Sequence, residues 1–224
     1  MIRTVLAPAL FLAAATLAVP AAAQEDIDKV NGSITAESGR AMGDLGTVNG
    51  SIRLEDTARA GDVETVNGSI RGGDEIAADG LATVNGSIRI GRRAAVAGGI
   101  ETVNGSIFVD HGGRVGGDVA TVNGAIGLVA TEVGGDVETV TGDVTIGVDS
   151  HVRGGIRIHK PTSNWMPINI SKRAPRIIVG PNAVVDGRLV FEREVVLYVH
   201  DSARIGEVSG ATPVPYSGAT APRD

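Results

Sequence analysis

Four histidines, His111, His151, His159 and His200, are the side chains best suited to chemistry in this chain. Three stand close to aspartate, in Asp110-His111, Asp149-Ser150-His151 and His200-Asp201. A histidine–carboxylate pair serves as a general acid–base device or as part of a metal site only when its groups converge on one reacting or bound atom. His111 and His151 follow the repeat motifs at Asn104 and Thr141 at similar but unequal offsets, which fits solvated polar corners. Asp62, Asp118 and Asp136 recur at one place in a repeat, and recurrence points to a corner role, because catalysis needs a unique constellation. The chain contains no Cys, which excludes disulfides, a thiol nucleophile and cysteine-ligated metal. Phosphate-loop, His-Glu-x-x-His and Gly-x-Ser-x-Gly motifs are absent. No catalytic residue, metal site or cofactor is expected.

The elements that would position these residues come from one repeat. Val30-Asn31-Gly32-Ser33-Ile34 recurs from Val48, Val66, Val84 and Val103, recurs from Val122 with Ala for Ser, and ends as Val140-Thr141-Gly142-Asp143-Val144. The copies are 18 or 19 residues apart. A Gly-Asp-Val-Glu-Thr-like unit precedes several of them, as at Gly61–Thr65 and Gly134–Thr139. This period is too short for a helical-hairpin repeat, and the frequent glycines would weaken helices. It suits one coil of a β-solenoid with three short faces, each coil about 4.8 Å above the last. The fold expected is therefore all-β, a single-stranded β-solenoid of about 18-residue coils. Its hand is open, with a right-handed coil preferred. Val, Ile, Leu and Ala should fill the interior, and Asn31, Asn49, Asn67, Asn85, Asn104 and Asn123 should stack as an inward amide ladder. Asn-Gly is expected to supply the positive φ of a tight corner. Val63 and Val66, three apart, require a corner or bulge between them if both face inward. The competing architecture is an array of hairpins turning at Asn-Gly.

Glycine makes up 32 of 224 residues and aromatics 3%, whereas 42% are hydrophobic, a balance of tightly stacked β structure rather than disorder. Arg3, the apolar run Val5–Val19 and Ala21-Ala22-Ala23 read as a signal peptide over 1–23, cut before Gln24. The remainder, without Arg3, has a formal charge of −7, which disfavours nucleic acid as a partner. No transmembrane segment remains after cleavage, and a periplasmic or secreted location is expected. The solenoid is assigned to 24–158, diverged coils and a C-terminal cap to 159–208, and a disordered, proline-containing tail to 209–224.

The Val-Asn-Gly-Ser-Ile and Gly-Gly-Asp-Val-Glu-Thr units, over roughly residues 28–158, resemble those of two bacterial β-solenoid groups. One is an exported adhesin-like family of unknown function; the other is the polymer-forming, bactofilin-like family. The second resemblance implies end-to-end filaments, although those proteins are cytosolic as a rule and this chain carries an export signal. Neither implies a catalytic residue. The function expected is a non-enzymatic exported scaffold that self-associates through its ends or presents a regular surface to cell-envelope partners. The alternatives are a solenoid enzyme, either carbohydrate-active or an acyltransferase using His159, and a polysaccharide binder with Trp165 and Phe108 as stacking platforms.

Overall fold

The computed structural model describes residues 25–161 and 173–222, so residues 1–23, where a signal peptide is expected, and Trp165 lie outside the described residues. The described chain is all-β. It forms a β-solenoid of about nine turns, with every strand pair parallel and like residues aligned with like, as in Asn49 with Asn67 and Asn85. The hairpin alternative is thereby excluded. Three sheets make the faces. Sheet 1 has ten strands, from Ile27–Asn31 to Val208–Ser209. Sheet 2 has ten, from Ile34–Ala36 to Pro213–Tyr216. Sheet 3 has seven short strands, from Ala77–Ala78 to Arg204–Ile205, and isolated bridges continue it back to Ala41.

The core is a set of inward rows. Ile34, Ile52, Ile70, Ile88, Ile107 and Ile126 stack along sheet 2, and Leu45, Val63, Leu81, Ile100, Val119 and Val137 along sheet 1, all nearly fully buried. Each such side chain contributes about 1.5–3 kcal/mol on burial. The rows compensate one another in volume. Gly72 replaces a larger residue where Ile76 and Ile90 reach across, and a β-carbon at Gly72 would meet the Ile76 Cδ1 at 3.0 Å.

One expectation about the interior is corrected. The Val of each Val-Asn-Gly motif faces solvent, with Val48, Val66 and Val84 each 40% exposed, and the preceding Thr faces the core. Strand Asp62–Asn67 therefore alternates regularly, with Val63 and Thr65 inside and Glu64 and Val66 outside, and no bulge intervenes. The physical reason is a hydrogen bond that apolarity does not advertise. Thr65 Oγ1 donates to the Gly50 carbonyl (2.8 Å) and Thr83 Oγ1 to that of Gly68 (2.9 Å), each tying its coil to the corner of the coil before. A buried carbonyl left without such a partner costs about 1–3 kcal/mol.

The corner glycines are also required for a reason other than the one expected. None of Gly50, Gly68, Gly86 or Gly105 has a positive φ. A β-carbon on any of them would overlap the carbonyl oxygen of the corner glycine one coil earlier. At the Asn-Gly corners the expected positive φ occurs only in the first and last copies, at Gly32 (112°) and Gly124 (159°); elsewhere it gathers at the corner before sheet 3, where Gly39, Thr57, Glu75, Arg93, Gly112 and Ala130 occupy the left-handed region.

The repeat is interrupted once. Val144 pairs with Ile177, a step of 33 residues, so the extra residues enter between strands Ile156–Ile158 and Arg176–Val179. The end of the chain departs from the expected disordered tail: Pro213–Tyr216 pairs in register with Leu197–His200. Tyr216 packs edge-on against Tyr198 and His200, and burial raises its phenol pKa.

Two outcomes check this account. Gly86→Ala should destabilise the protein by about 1–3 kcal/mol in urea unfolding, because backbone of the adjacent coil must move. Deleting residues 66–83, one complete coil, should leave a cooperatively unfolding rod shorter by about 4.8 Å in small-angle scattering; global unfolding would contradict independent stacking.

Candidate functional site

The polar corners carry side chains that join one coil to the next. The asparagines form a continuous ladder: the side-chain amide of Asn49 donates to the Oδ1 of Asn31, Asn67 to Asn49, Asn85 to Asn67, Asn104 to Asn85 and Asn123 to Asn104, at 2.9–3.1 Å. Thr141 Oγ1 donates to Asn123 Oδ1 at 2.8 Å and ends the series, which is what the degenerate last motif accomplishes. The ladder is on the outside, contrary to the inward placement expected: Asn31 to Asn104 are exposed and Asn123 is half-buried. The chain turns directly after each Asn, so the side chain stands at a corner and escapes the strand alternation.

Serines and aspartates at other corners act by a second device, accepting the backbone N–H of the next coil. Ser33 Oγ accepts from Ser51, Ser51 from Ser69, and so on to Ser106, which accepts from Ala125. Asp44 Oδ1 accepts from the Asp62 amide at 2.9 Å, and Asp118 Oδ1 from Asp136 at 2.7 Å. Of the three recurring aspartates, Asp118 and Asp136 accept the backbone amide of the next coil, Asp136 from Gly155 at 2.7 Å, whereas Asp62 takes part through its own amide.

The histidines do not converge. His111 pairs with its neighbour Asp110, and the His111 amide and ring hold that carboxyl below the usual carboxylate range. His151 Nε2 lies 2.6 Å from Asp186, and His200 Nδ1 lies 2.8 Å from the Ser202 hydroxyl. Among the described residues no group of three or more His, Asp or Glu is placed to hold a metal ion. His159 has the richest surroundings. Its Nε2 is 3.1 Å from Glu138 and its Nδ1 3.8 Å from Glu192, while Arg157 donates to Glu138 at 2.6 Å. This cluster stands beside the single interruption of the repeat. The imidazole is part-exposed, and a His between carboxylates can exchange protons with a ligand or simply join two coils.

His159 also closes one end of a shallow groove that runs along the outer face of sheet 1 and begins at Asp28. One wall is the row of exposed valines, Val48, Val66, Val84 and Val103. The other alternates small and acidic residues: Gly46, Glu64, Ala82, Glu101, Ala120 and Glu138, in register from coil to coil. Like charges directly opposite one another destabilise a sheet, and the intervening Gly and Ala separate the carboxylates by two coils. Sheet 2 carries a different outward row, Arg53, Arg71, Arg89 and Phe108. Neither row stood out in the linear sequence; aligning it at the 18–19-residue period would have displayed both.

In comparisons with known proteins, no family model, no curated protein sequence and no solved structure matches the chain. Among the described residues no helix is long and apolar enough to cross a membrane.

The ladder and the charged corner each make a prediction. Asn85→Ala removes two amide bonds and should cost about 1–2 kcal/mol in urea unfolding, whereas Asn31→Ala removes one and should cost about half as much. Side-chain and backbone hydrogen bonds from Arg92 hold the Asp74 carboxyl below its usual value of 3.8. Its contribution to stability is therefore complete above that value and lost as pH falls through the lower folded one. The loss of stability between about pH 6 and about pH 3 should be smaller in Asp74→Asn than in the parent chain.

Proposed function

We propose that the protein is a non-enzymatic exported scaffold, a rigid rod that presents a regular lateral face to a cell-envelope or surface partner. The observation that carries this reading is the set of outward rows in register along the rod, valines and alternating carboxylates on sheet 1 and arginines on sheet 2, while the polar corners are engaged in holding coil to coil. A surface of that kind suits an extended or repetitive partner.

Of the two modes in which such a scaffold can act, the lateral one is favoured over end-to-end polymerisation by the chemistry of the ends. Asp201 N–H donates to the Tyr216 carbonyl, so the alternate residues Pro213 and Pro215 turn their backbone nitrogens to the outer edge of sheet 2. Prolines there remove the donors that a further strand would use. At the other end, Lys29 aligns with Thr47 of the inward row and donates to the Ser33 carbonyl at 3.1 Å. A charged residue in an inward position of an edge strand opposes strand addition. Export rests on the character of residues 1–23.

A second reading, an enzyme acting through His159, is favoured by one observation, the flanking Glu138 and Glu192 beside the break in the repeat.

The mature chain is expected to appear in electron micrographs as separate rods roughly 43 Å long, nine coils at about 4.8 Å, and to co-sediment saturably with washed envelopes of the producing organism. His159→Ala should leave co-sedimentation unchanged. Filaments would transfer the function to self-association, and absence from the envelope pellet would defeat the scaffold reading.

A further inference from the structure

Sheet 2 places three guanidinium groups in one file. Arg53, Arg71 and Arg89 are direct partners in adjacent parallel strands, all outward and exposed. Their backbones are about 4.8 Å apart, and like charges at directly opposed positions of a sheet oppose one another. The acidic row of sheet 1 avoids this by alternating with Gly and Ala; the arginine row does not. The nearby carboxylates do little to offset it. Glu55 reaches Arg53 at 3.8 Å. Asp74 is taken by Arg92 at 2.7 Å, Glu75 by Arg93 at 2.5 Å, and Asp56 accepts the Asp74 amide. Among the described residues, Arg71 and Arg89 are in no ion pair.

The surroundings leave this file open. Arg71 and Arg89 each stand between a serine and a glycine on the outer surface, Ser69 and Gly73 in one coil, Ser87 and Gly91 in the next. The serine oxygens accept backbone amides, which leaves the hydroxyl protons to donate elsewhere. Where the row would next bring a fourth arginine it brings Phe108, with the Arg89 guanidinium 5.1 Å from the ring centroid. The following position is Gly127, where a β-carbon would come within 3.2 Å of the ring and press it aside by a few tenths of an ångström. Two unpaired forks, two hydroxyl donors and an aromatic ring in line are the groups that bind an acidic carbohydrate: guanidinium for carboxylate or sulfate, hydroxyl for hydroxyl, ring for the apolar face of a pyranose.

We propose that the Arg71–Arg89–Phe108 strip is a binding site for a linear acidic polysaccharide lying along the rod, with anionic groups of successive sugars on successive coils. This rests on the reading that the protein works through its lateral faces, and it names the partner's chemistry. The net negative charge of the chain repels polyanions at large. Binding therefore depends on the strip itself, and a neutral glycan lacks the groups the arginines require.

The test is calorimetric titration of the mature protein with oligogalacturonate, dextran and inorganic polyphosphate. Oligogalacturonate should bind saturably and more weakly as salt is raised, and dextran should not bind. The double variant Arg71→Gln/Arg89→Gln should weaken binding about tenfold or more, Phe108→Ala severalfold, and the control Arg59→Gln, an exposed arginine on sheet 3, less than twofold; every variant should unfold cooperatively, and the double variant should be no less stable than the parent because the opposed charges are gone. Arg71→Lys/Arg89→Lys should fall between parent and double variant, because charge is kept and the fork is lost. No binding of oligogalacturonate, or equal weakening by Arg59→Gln, would overturn the site. Polyphosphate bound as tightly and independently of Phe108 would overturn the carbohydrate assignment in favour of bare anions. Continued co-sedimentation with envelopes in either event would leave the scaffold reading standing.

Discussion

Every feature of this molecule depends on one constraint: each coil must accept a near copy of itself about 4.8 Å away as its hydrogen-bonded neighbour. A residue is selected less for what it does alone than for what it does beside its own kind. Asn31 to Asn123 meet the condition because an amide both donates and accepts. Isoleucine meets it in the core by packing its branched side chain on the same shape above and below. Gly50 to Gly105 meet it at the tightest corner, where consecutive backbones approach too closely for any β-carbon. The constraint also explains why the chain can be rich in glycine and poor in aromatics and still bury a continuous core.

Much of this architecture was legible in the spacing of Val-Asn-Gly-Ser-Ile, because a fixed short period with like residues leaves few solutions other than parallel coils. The details that were not legible share a cause. Hydropathy placed Val66 inside and left Thr65 unassigned, yet the hydroxyl of Thr65 is needed inside to hold the Gly50 carbonyl. The Asn ladder followed from the stacking argument, but its side could not be read from a residue that sits where the strand turns. The proline-containing end looked unstructured because Pro and Gly usually mark loops; on an outermost strand, however, Pro213 and Pro215 lose no hydrogen bond that the stack needs.

The candidate sites were harder to foresee. Histidines are conspicuous because imidazoles titrate, and the fold disperses them: His111 and His151 serve separate carboxylates, and among the described residues only His159 gathers more than one. The arginines of sheet 2 attracted none, since single arginines on a surface are ordinary. Their meaning arises from register, which converts residues distant in sequence into a contiguous file. In a solenoid, the unit of surface chemistry is the column rather than the segment.

The alternation of Glu64, Ala82, Glu101, Ala120 and Glu138 has a consequence of its own. The backbone of this rod has a period of one coil, whereas its acidic column has a period of two. Lineages that lengthen or shorten such a protein by tandem duplication or loss within this column keep its electrostatic rhythm only when they move in pairs. Losing a small-residue coil or duplicating an acidic one sets carboxylate on carboxylate, whereas losing an acidic coil or duplicating a small one sets small on small, so single steps in this column are unequal in cost.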